Sequence, residues 1–366
     1  MDPHGPIAQR FPLVARARPA CLPLPQRVQG LVDLAESAER QADQGFASAV
    51  YNQSALIASD LNLPELAGKL CHQHADAYLH ACPLPGKSAI RGLEPIVNLA
   101  RLQIRAGKAD DGRRHLLNLY EAVSTGTAAQ FGDIALPAHL TATPDDRHEV
   151  RAWLWTVLLA DGTRTLTSKG RWDEALTHIE EHRGVGKRML DGRQVAVLAA
   201  LVAGDPAGAV DLLEETTPGE PWEQAVTACL TALCHRAASQ PAAHRTHTLA
   251  NMYAKLEPAR GMAVFDARLG LTILDVIGSD QEPVTHRVVD TLYSRTTTLN
   301  DGHAARENLA HPLFTTLVTG KQQKNCQDIV DACALGAGKL PDELHDQLAM
   351  ALRTSDRTIR KGVTSK

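Results

Sequence analysis

The chain has 366 residues and a formal net charge of −4, which gives it no basic footprint for general nucleic-acid binding. Hydrophobic residues make up 44% of the sequence but aromatic residues only 4%, so core volume must come from Ala, Leu and Val, a balance that favours closely packed helices. No apolar run approaches the length of a membrane span. We therefore expect neither nucleic acid nor a membrane to be a partner.

The seven cysteines include no C-x-x-C pair, which disfavours a zinc knuckle or a redox dithiol. Buried free thiols in a reducing compartment are the simpler interpretation. The apolar run at residues 11–14 is short and flanked by Arg and Pro, unlike a signal peptide. These features predict a cytoplasmic protein. The excess of Arg over Lys and the frequent Ala are a bias associated with high-GC bacterial genomes.

Residues 1–25 are rich in proline, carry several arginines and lack any periodicity, so the sequence predicts a flexible, mildly basic tail. From residue 26 onward, helical patterns of twelve to twenty residues follow one another with short breaks, and no alternating strand pattern stands out. The sequence thus predicts an all-α chain.

Four predicted helix pairs share a turn residue and, a few positions later, a small residue where the two helices touch. They span about residues 47–78, 94–120, 149–182 and 188–216. The turn residues are Asn62, Gly107, Gly170 and Gly204, and the contact residues are Ala67, Gly112, Ala175 and Ala209. Each pair exposes an apolar face that a neighbouring pair must cover, so the units are expected to stack.

The segments that begin at Gly170 (Gly-Arg-Trp-Asp-Glu-Ala-Leu) and Gly204 (Gly-Asp-Pro-Ala-Gly-Ala-Val) lie 34 residues apart, at positions 170 and 204. This spacing and phrase resemble those of tetratricopeptide (TPR) repeats. The resemblance covers roughly residues 47–219, and the chain is also similar in style to the repeat portion of bacterial regulators. It implies a right-handed α-solenoid of paired antiparallel helices that binds a protein or peptide.

The predicted domain organisation has three parts. After the tail at 1–25, TPR-like repeats occupy 26–219 with an insert at 128–146, and degenerate repeats with C-terminal capping helices occupy 220–366. The insert is long for a connector and contains Phe131, Ile134 and Leu136, so we expect it to pack back onto the array. Arg357 and Arg360 lie in a C-terminal segment with a faint helix-turn-helix pattern, which a capping helix with a basic tail explains better.

In the repeat geometry the first helix of each pair lines the concave groove. Arg101 and Arg164 occupy the same place relative to their turn glycines, and inward arginines suit a carboxylate or an acidic peptide. Because several guanidinium groups there exceed the one carboxylate of Glu94, we expect an acidic or carboxylate-bearing partner. The candidate partner-binding residues are Asn52, Glu94, Asn98, Arg101, Arg105, Arg164 and Gln194.

Other motifs suggest chemistry but lack its structural context. His72, His74 and His80 cluster near Cys71 and Cys82, yet neighbours two apart lie on different helix sides. Residues 178–182 fit the zinc-protease pattern H-x-x-E-H without an identifiable third ligand. Residues 81–88 fit a relaxed phosphate-loop pattern, but a helix rather than a strand precedes them.

We therefore expect a non-enzymatic scaffold or regulatory adaptor that holds a protein or peptide in the groove of its helical array. The alternative is a ligand- or metal-binding helical domain, with sensing or enzyme-like activity near the His/Cys cluster. No catalytic residue, metal ligand or cofactor is assigned, and the sequence leaves the oligomeric state open.

Overall fold

The computed structural model of the protein describes residues 1–239 and 243–364. Helices dominate this part of the chain, as the composition predicts, and its only strands form one short hairpin. Nowhere in these two stretches is a helix both long and apolar enough to cross a membrane. The expectation of an all-α chain is thus confirmed except at the hairpin.

Short connections join the helices. Most helices begin at a proline or directly after an N-cap residue. In chain order the elements are α1 (Pro6–Arg10), α2 (Leu24–Gln41), α3 (Gln44–Asp60), α4 (Pro64–Leu79), α5 (Gly86–Arg105), α6 (Ala109–Thr125), β1 (Ala129–Phe131), β2 (Ile134–Leu136), α7 (Pro144–Val157), a π-helical turn (Leu158–Gly162), α8 (Thr163–Thr167), α9 (Trp172–Glu181), α10 (Asp191–Ala203), α11 (Pro206–Glu214), α12 (Pro221–Ala237), α13 (Ala243–Lys255), α14 (Ala263–Ile277), α15 (Pro283–Leu299), α16 (Gly302–Leu309), α17 (Pro312–Leu317), α18 (Gly320–Ala332) and α19 (Asp342–Thr364).

The chain divides into two compact units, each built from two separate stretches of sequence. Unit 1 comprises Met1–Pro23 and Leu166–Cys333, and unit 2 comprises Leu24–Thr165 and Ala334–Lys366. The sequence predicts a continuous array with limits near 25 and 219, so the observed division differs from it. The difference has a physical reason: the division depends on pairings between distant segments, which no local pattern reports.

In unit 2 the distant pairing is that of the last helix with the first ones. Helix α19 packs against α2 and α3 and buries Leu348, Ala351, Ile359 and Val363 along one face. It runs without a break through Ser355, which is completely buried. Residues 342–364 therefore form one continuous helix rather than a helix-turn-helix, and this helix covers unit 2 with its apolar face.

Three of the predicted helix pairs are present as antiparallel neighbours: α3 with α4, α5 with α6, and α10 with α11. Asn62, Gly107 and Gly204 at their turns have φ values of 62°, 79° and 81°, the left-handed conformation that ends a helix. The contact residues Ala67 and Ala209 are completely buried. The predicted turn residues and contact residues of these helix pairs are thus confirmed.

The third predicted pair is interrupted. Helix α7 continues through a π-helical turn into α8, and the limit between the two units falls after Thr165. Gly170 still ends the segment with φ 69°, and Ala175 is completely buried. Its helix, α9, packs against α10 within unit 1. The expected turn and contact residues are therefore in place, but the pair does not form one unit.

The insert between α6 and α7 forms the hairpin of β1 and β2, with Phe131 opposite Ile134. Gly132 at its tip has φ 60°, a value that glycine adopts without strain. Phe131, Ile134 and Leu136 are buried in the core of unit 2, so the insert packs back as expected. The strands have three residues each, too few to show an alternating pattern in the sequence.

The sequence predicts a flexible tail at residues 1–25. In the structure, residues 1–23 instead pack within unit 1. Phe11 and Leu13 are each 2% exposed, and Arg10 forms an ion pair with Asp275. The side chain of Gln194 holds the Leu13 backbone, accepting from its N–H at 2.6 Å and donating to its carbonyl at 2.7 Å. A proline-rich composition disfavours helices and strands. It does not prevent a segment from packing against residues that are distant in the sequence, such as Gln194 and Asp275.

The contact between α5 and α6 gives a test of how closely these helices pack. A Cβ atom at Gly112 would lie 2.7 Å from Ile104 Cγ1 and 2.9 Å from the Ala100 carbonyl oxygen. Gly112→Ala should lower the free energy of unfolding by about 1–2 kcal/mol, because overpacking outweighs the gain in helix propensity. Urea denaturation followed by circular dichroism measures it.

The matched control is Gly30→Ala on α2, where a Cβ atom would meet nothing within 4 Å. This variant should be more stable than the wild type by about 0.5–1 kcal/mol. Equal effects of the two substitutions would contradict the close contact at Gly112.

Candidate functional site

Four of the predicted binding residues form one hydrogen-bonded chain on unit 2. Asn52 on α3 donates to Glu94 Oε2 at 2.6 Å, and Asn98 donates to Asn52 Oδ1 at 2.9 Å. Arg101 in turn donates to Asn98 Oδ1 at 3.0 Å. Positions 94, 98 and 101 lie on one face of α5, which is why the sequence could predict their proximity.

The arginines of this surface already have carboxylate partners in unit 2. Arg101 donates from Nε and Nη2 to Asp161 at 3.0 and 2.7 Å. Arg105 contacts Asp60 at 3.3 Å, and Asp60 also pairs with Arg27 at 2.7 Å. The positive charges of Arg101 and Arg105, from which the sequence predicts an acidic partner, are therefore paired with carboxylates of the same unit. Sequence reasoning missed both aspartates because they lie far from the arginines along the chain.

Glu94 is the inner end of this chain of hydrogen bonds. Burial raises the pKa of its carboxyl group, and the Asn52 hydrogen bond and the charges of Arg91 and Arg101 partly oppose that rise. The neighbours of this carboxyl group thus recover only part of the hydration that its ionised form loses on burial. These contacts describe a polar network that stabilises α3 against α5, with the exposed half of Arg101 at its outer edge.

The remaining two predicted residues lie elsewhere. Arg164 lies on α8 in unit 2 and is partly buried. Gln194 lies on α10 in unit 1, where it is completely buried and holds Leu13 as described above. A completely buried side chain cannot contact a partner, so the expectation that Gln194 faces a groove is wrong. It fails because residues 11–14 cover that side of α10, which the repeat template does not include.

The His/Cys cluster does not come together. His74 is buried and stacks on the Tyr51 ring at 5.0 Å, and burial lowers its pKa to about 3. His72 lies instead beside Asp133, with Nδ1 3.9 Å from Oδ2. Burial raises the pKa of the Cys71 thiol to about 12. Within the described residues, His72, His74, His80, Cys71 and Cys82 supply no three ligand atoms within 4.8 Å of one another.

The phosphate-loop pattern also has another structural role. Helix α4 precedes it, and the Gly86 N–H at the start of α5 donates to Asp146 Oδ1 at 2.7 Å. A Cβ atom at Gly86 would lie only 2.1 Å from Glu149 Oε2. Two carboxylates of α7 therefore occupy the position that a phosphate would need, and an anion there would be repelled.

A different candidate surface lies in unit 1, between α9, α10 and α11. It is an open groove of about 580 Å³, which we call the alanine groove. Its floor is one face of α10, and Leu176 and Leu212 line its walls. The floor residues are spaced at i, i+3, i+4 and i+7; they are Ala196, Ala199, Ala200 and Ala203.

The rim of the alanine groove is charged. Asp173 and Glu180 lie on α9, Arg183 follows that helix, and Asp205 begins α11. Asp205 is the N-cap and accepts from the Gly208 N–H at 2.9 Å. In the part of the chain that the structure describes, Asp173, Glu180 and Arg183 form no ion pair, and all three are exposed. The groove thus combines an apolar floor with charges available to a partner.

The chain matches no protein-family model and no curated protein. A search of solved structures finds a circular tandem repeat protein with novel repeat topology and enhanced subunit contact surfaces. The likeness covers 98% of each chain at 12% sequence identity, with a TM-score of 0.21. A TM-score this low supports no inference about fold or function.

The polar network predicts a pH dependence. Because the folded-state pKa of Glu94 is raised, ionisation of Glu94 opposes folding, and the stability it contributes is lost as pH rises through that pKa. Glu94→Gln, which keeps an acceptor for Asn52, should therefore gain stability relative to the wild type between about pH 4 and about pH 7. Urea denaturation across this range measures the difference.

Glu121→Gln, at an exposed position on α6, controls for the loss of a carboxylate. A Glu94→Gln variant that instead loses stability relative to the wild type as pH rises would show that the environment favours the ionised form.

Proposed function

We propose that the chain is a non-enzymatic scaffold or regulatory adaptor that binds a helical segment of a partner protein in the alanine groove. The observation that carries this proposal is an open groove with an apolar floor and with three exposed rim charges, Asp173, Glu180 and Arg183, that form no ion pair in the described chain. Grooves of several hundred Å³ with apolar walls and a few placed charges are typical binding sites.

The small side chains of the floor favour this use. An alanine face lets another helix approach closely, and helix-in-groove recognition depends on apolar anchors spaced at i, i+3, i+4 and i+7. Helix α10 is the first helix of its pair, the kind of helix that the repeat template assigns to binding. The binding residues differ from those predicted, because they are alanines rather than polar side chains.

The assignment to the TPR class, with its right-handed superhelix, belongs to the same proposal. It is supported by the turn glycines Gly170 and Gly204, which both have positive φ, and by the complete burial of Ala175 and Ala209. We propose that the protein is a bacterial regulator and that it acts in the cytoplasm. The seven free cysteines are consistent with a reducing compartment.

The alternative of a ligand- or metal-binding domain near the His/Cys cluster has less support. Its residues are dispersed in the described structure, and His74 is stacked and buried rather than directed into a cavity. The scaffold is therefore the function that the geometry favours.

Filling the groove tests the proposal. Ala203 is exposed at the end of α10 and lines the groove, so Ala203→Trp should obstruct it without loss of stability. The probes are fluorescent amphipathic peptides of about 18 residues, with leucines at helical spacing and polar faces of Lys, Glu or Gln. At least one should bind by fluorescence anisotropy, and Ala203→Trp should weaken it about tenfold or more, equivalent to about 1.4 kcal/mol.

Ala207→Trp is the matched control, since Ala207 is exposed on α11 outside the groove lining. It should bind like the wild type. If none of the peptides binds, or if both tryptophan variants bind equally well, the groove is not the binding surface.

A further inference from the structure

The charges around the alanine groove are predominantly negative. Three rim carboxylates, Asp173, Glu180 and Asp205, face the single guanidinium group of Arg183. Asp173 and Glu180 lie seven positions apart, so both project from the same side of α9. A bound partner would therefore contact negative charge along the α9 wall of the groove and, at Asp205, at the start of the α11 wall.

Neighbouring residues extend this negative character. Asp211 and Glu214 are exposed on α11 beyond the groove lining. Of the nearby basic residues, Arg188 pairs with Glu223, and the buried Arg193 donates to the Leu212 carbonyl and contacts Glu215. Lys187 is exposed but does not line the groove. The acidic groups thus determine the sign of the local electrostatic potential, which selects partners and steers their encounter.

The groove also determines the backbone conformation of its occupant. Its floor and walls are faces of helices, whose backbone N–H and C=O groups already bond within their own helices. An extended peptide would find almost no backbone partners there, and unpaired buried backbone groups are costly. A helix satisfies its own backbone groups, so it can bury an apolar stripe on the alanines at no such cost.

We propose that the alanine groove binds a basic amphipathic helix, with Leu-sized side chains on the apolar stripe and Lys or Arg on its flanks. This inference rests on the proposed function and specifies the chemistry of the partner. It reverses the sign expected from the sequence, where Arg101 and Arg164 indicated an acidic partner. The reversal follows because Arg101 and Arg105 have carboxylate partners in unit 2, whereas the rim acids Asp173 and Glu180 have none in the described chain.

The test compares two peptides with the same leucine stripe, one with Lys and one with Glu on the polar face. The Lys peptide should bind the full-length protein more tightly, and its affinity should fall as salt rises from about 0.05 M to about 0.5 M. Asp173→Asn combined with Glu180→Gln should weaken the Lys peptide about 3- to 10-fold at the lower salt concentration. Arg183→Gln should instead strengthen it about 2-fold, since one repulsive charge is removed.

A matched control separates rim charge from overall charge. Asp211→Asn combined with Glu214→Gln changes the net charge equally, but neither residue lines the groove. This variant should bind the Lys peptide like the wild type. If it weakens binding as much as the rim variant does, the attraction is non-specific and the inference is wrong.

The remaining outcomes distinguish the inference from the function on which it rests. Preferred binding of the Glu peptide, lost in Ala203→Trp, would overturn the basic-helix inference and leave the groove as a binding site. Binding of either peptide that is unchanged in Ala203→Trp would overturn the proposed function. A dimer in sedimentation velocity that Ala203→Trp dissociates would assign the groove to a second copy of the chain, which also overturns the inference.

Discussion

The helices of this protein pack closely at small residues, and this packing shapes both the core and the candidate groove. Aromatic residues are scarce, and helices approach closely at small buried residues such as Ala67, Gly112 and Ala209. At Gly112 not even a methyl group fits without movement of Ile104 or of the backbone at Ala100. The same use of small side chains leaves α10 with an alanine face, and this face is the floor of the groove.

The parts of the fold that could be predicted are those encoded within one helix pair. Asn62, Gly107 and Gly204 are turn residues in the structure because a helix end with positive φ has a local sequence signature. The docking of Leu13 on Gln194, the hairpin at Phe131 and the packing of α19 on α2 could not be predicted. They depend on contacts between distant segments, or on strands too short to show a period.

Part of the candidate site could likewise be predicted from local sequence, and part could not. Glu94, Asn98 and Arg101 lie together because helical spacing fixes one face of α5, but only the structure shows that Asp161 neutralises Arg101. The alanine groove lies outside the predicted site because the predicted binding residues are polar, whereas its floor is alanine. A usable signal existed: the alanines of α10 recur at helical spacing, and acidic residues dominate the helices on both sides.

The proposed partner helix occupies the alanine groove of unit 1 rather than the polar surface of α3 and α5. Photo-crosslinking tests it most directly, with the Lys-faced leucine peptide carrying a benzophenone on its apolar stripe and mass spectrometry locating the adducts. We expect adducts on α9, α10 and α11, around Leu176, Ala200 and Leu212. Adducts confined to α3 and α5, around Asn52 and Arg101, would contradict it.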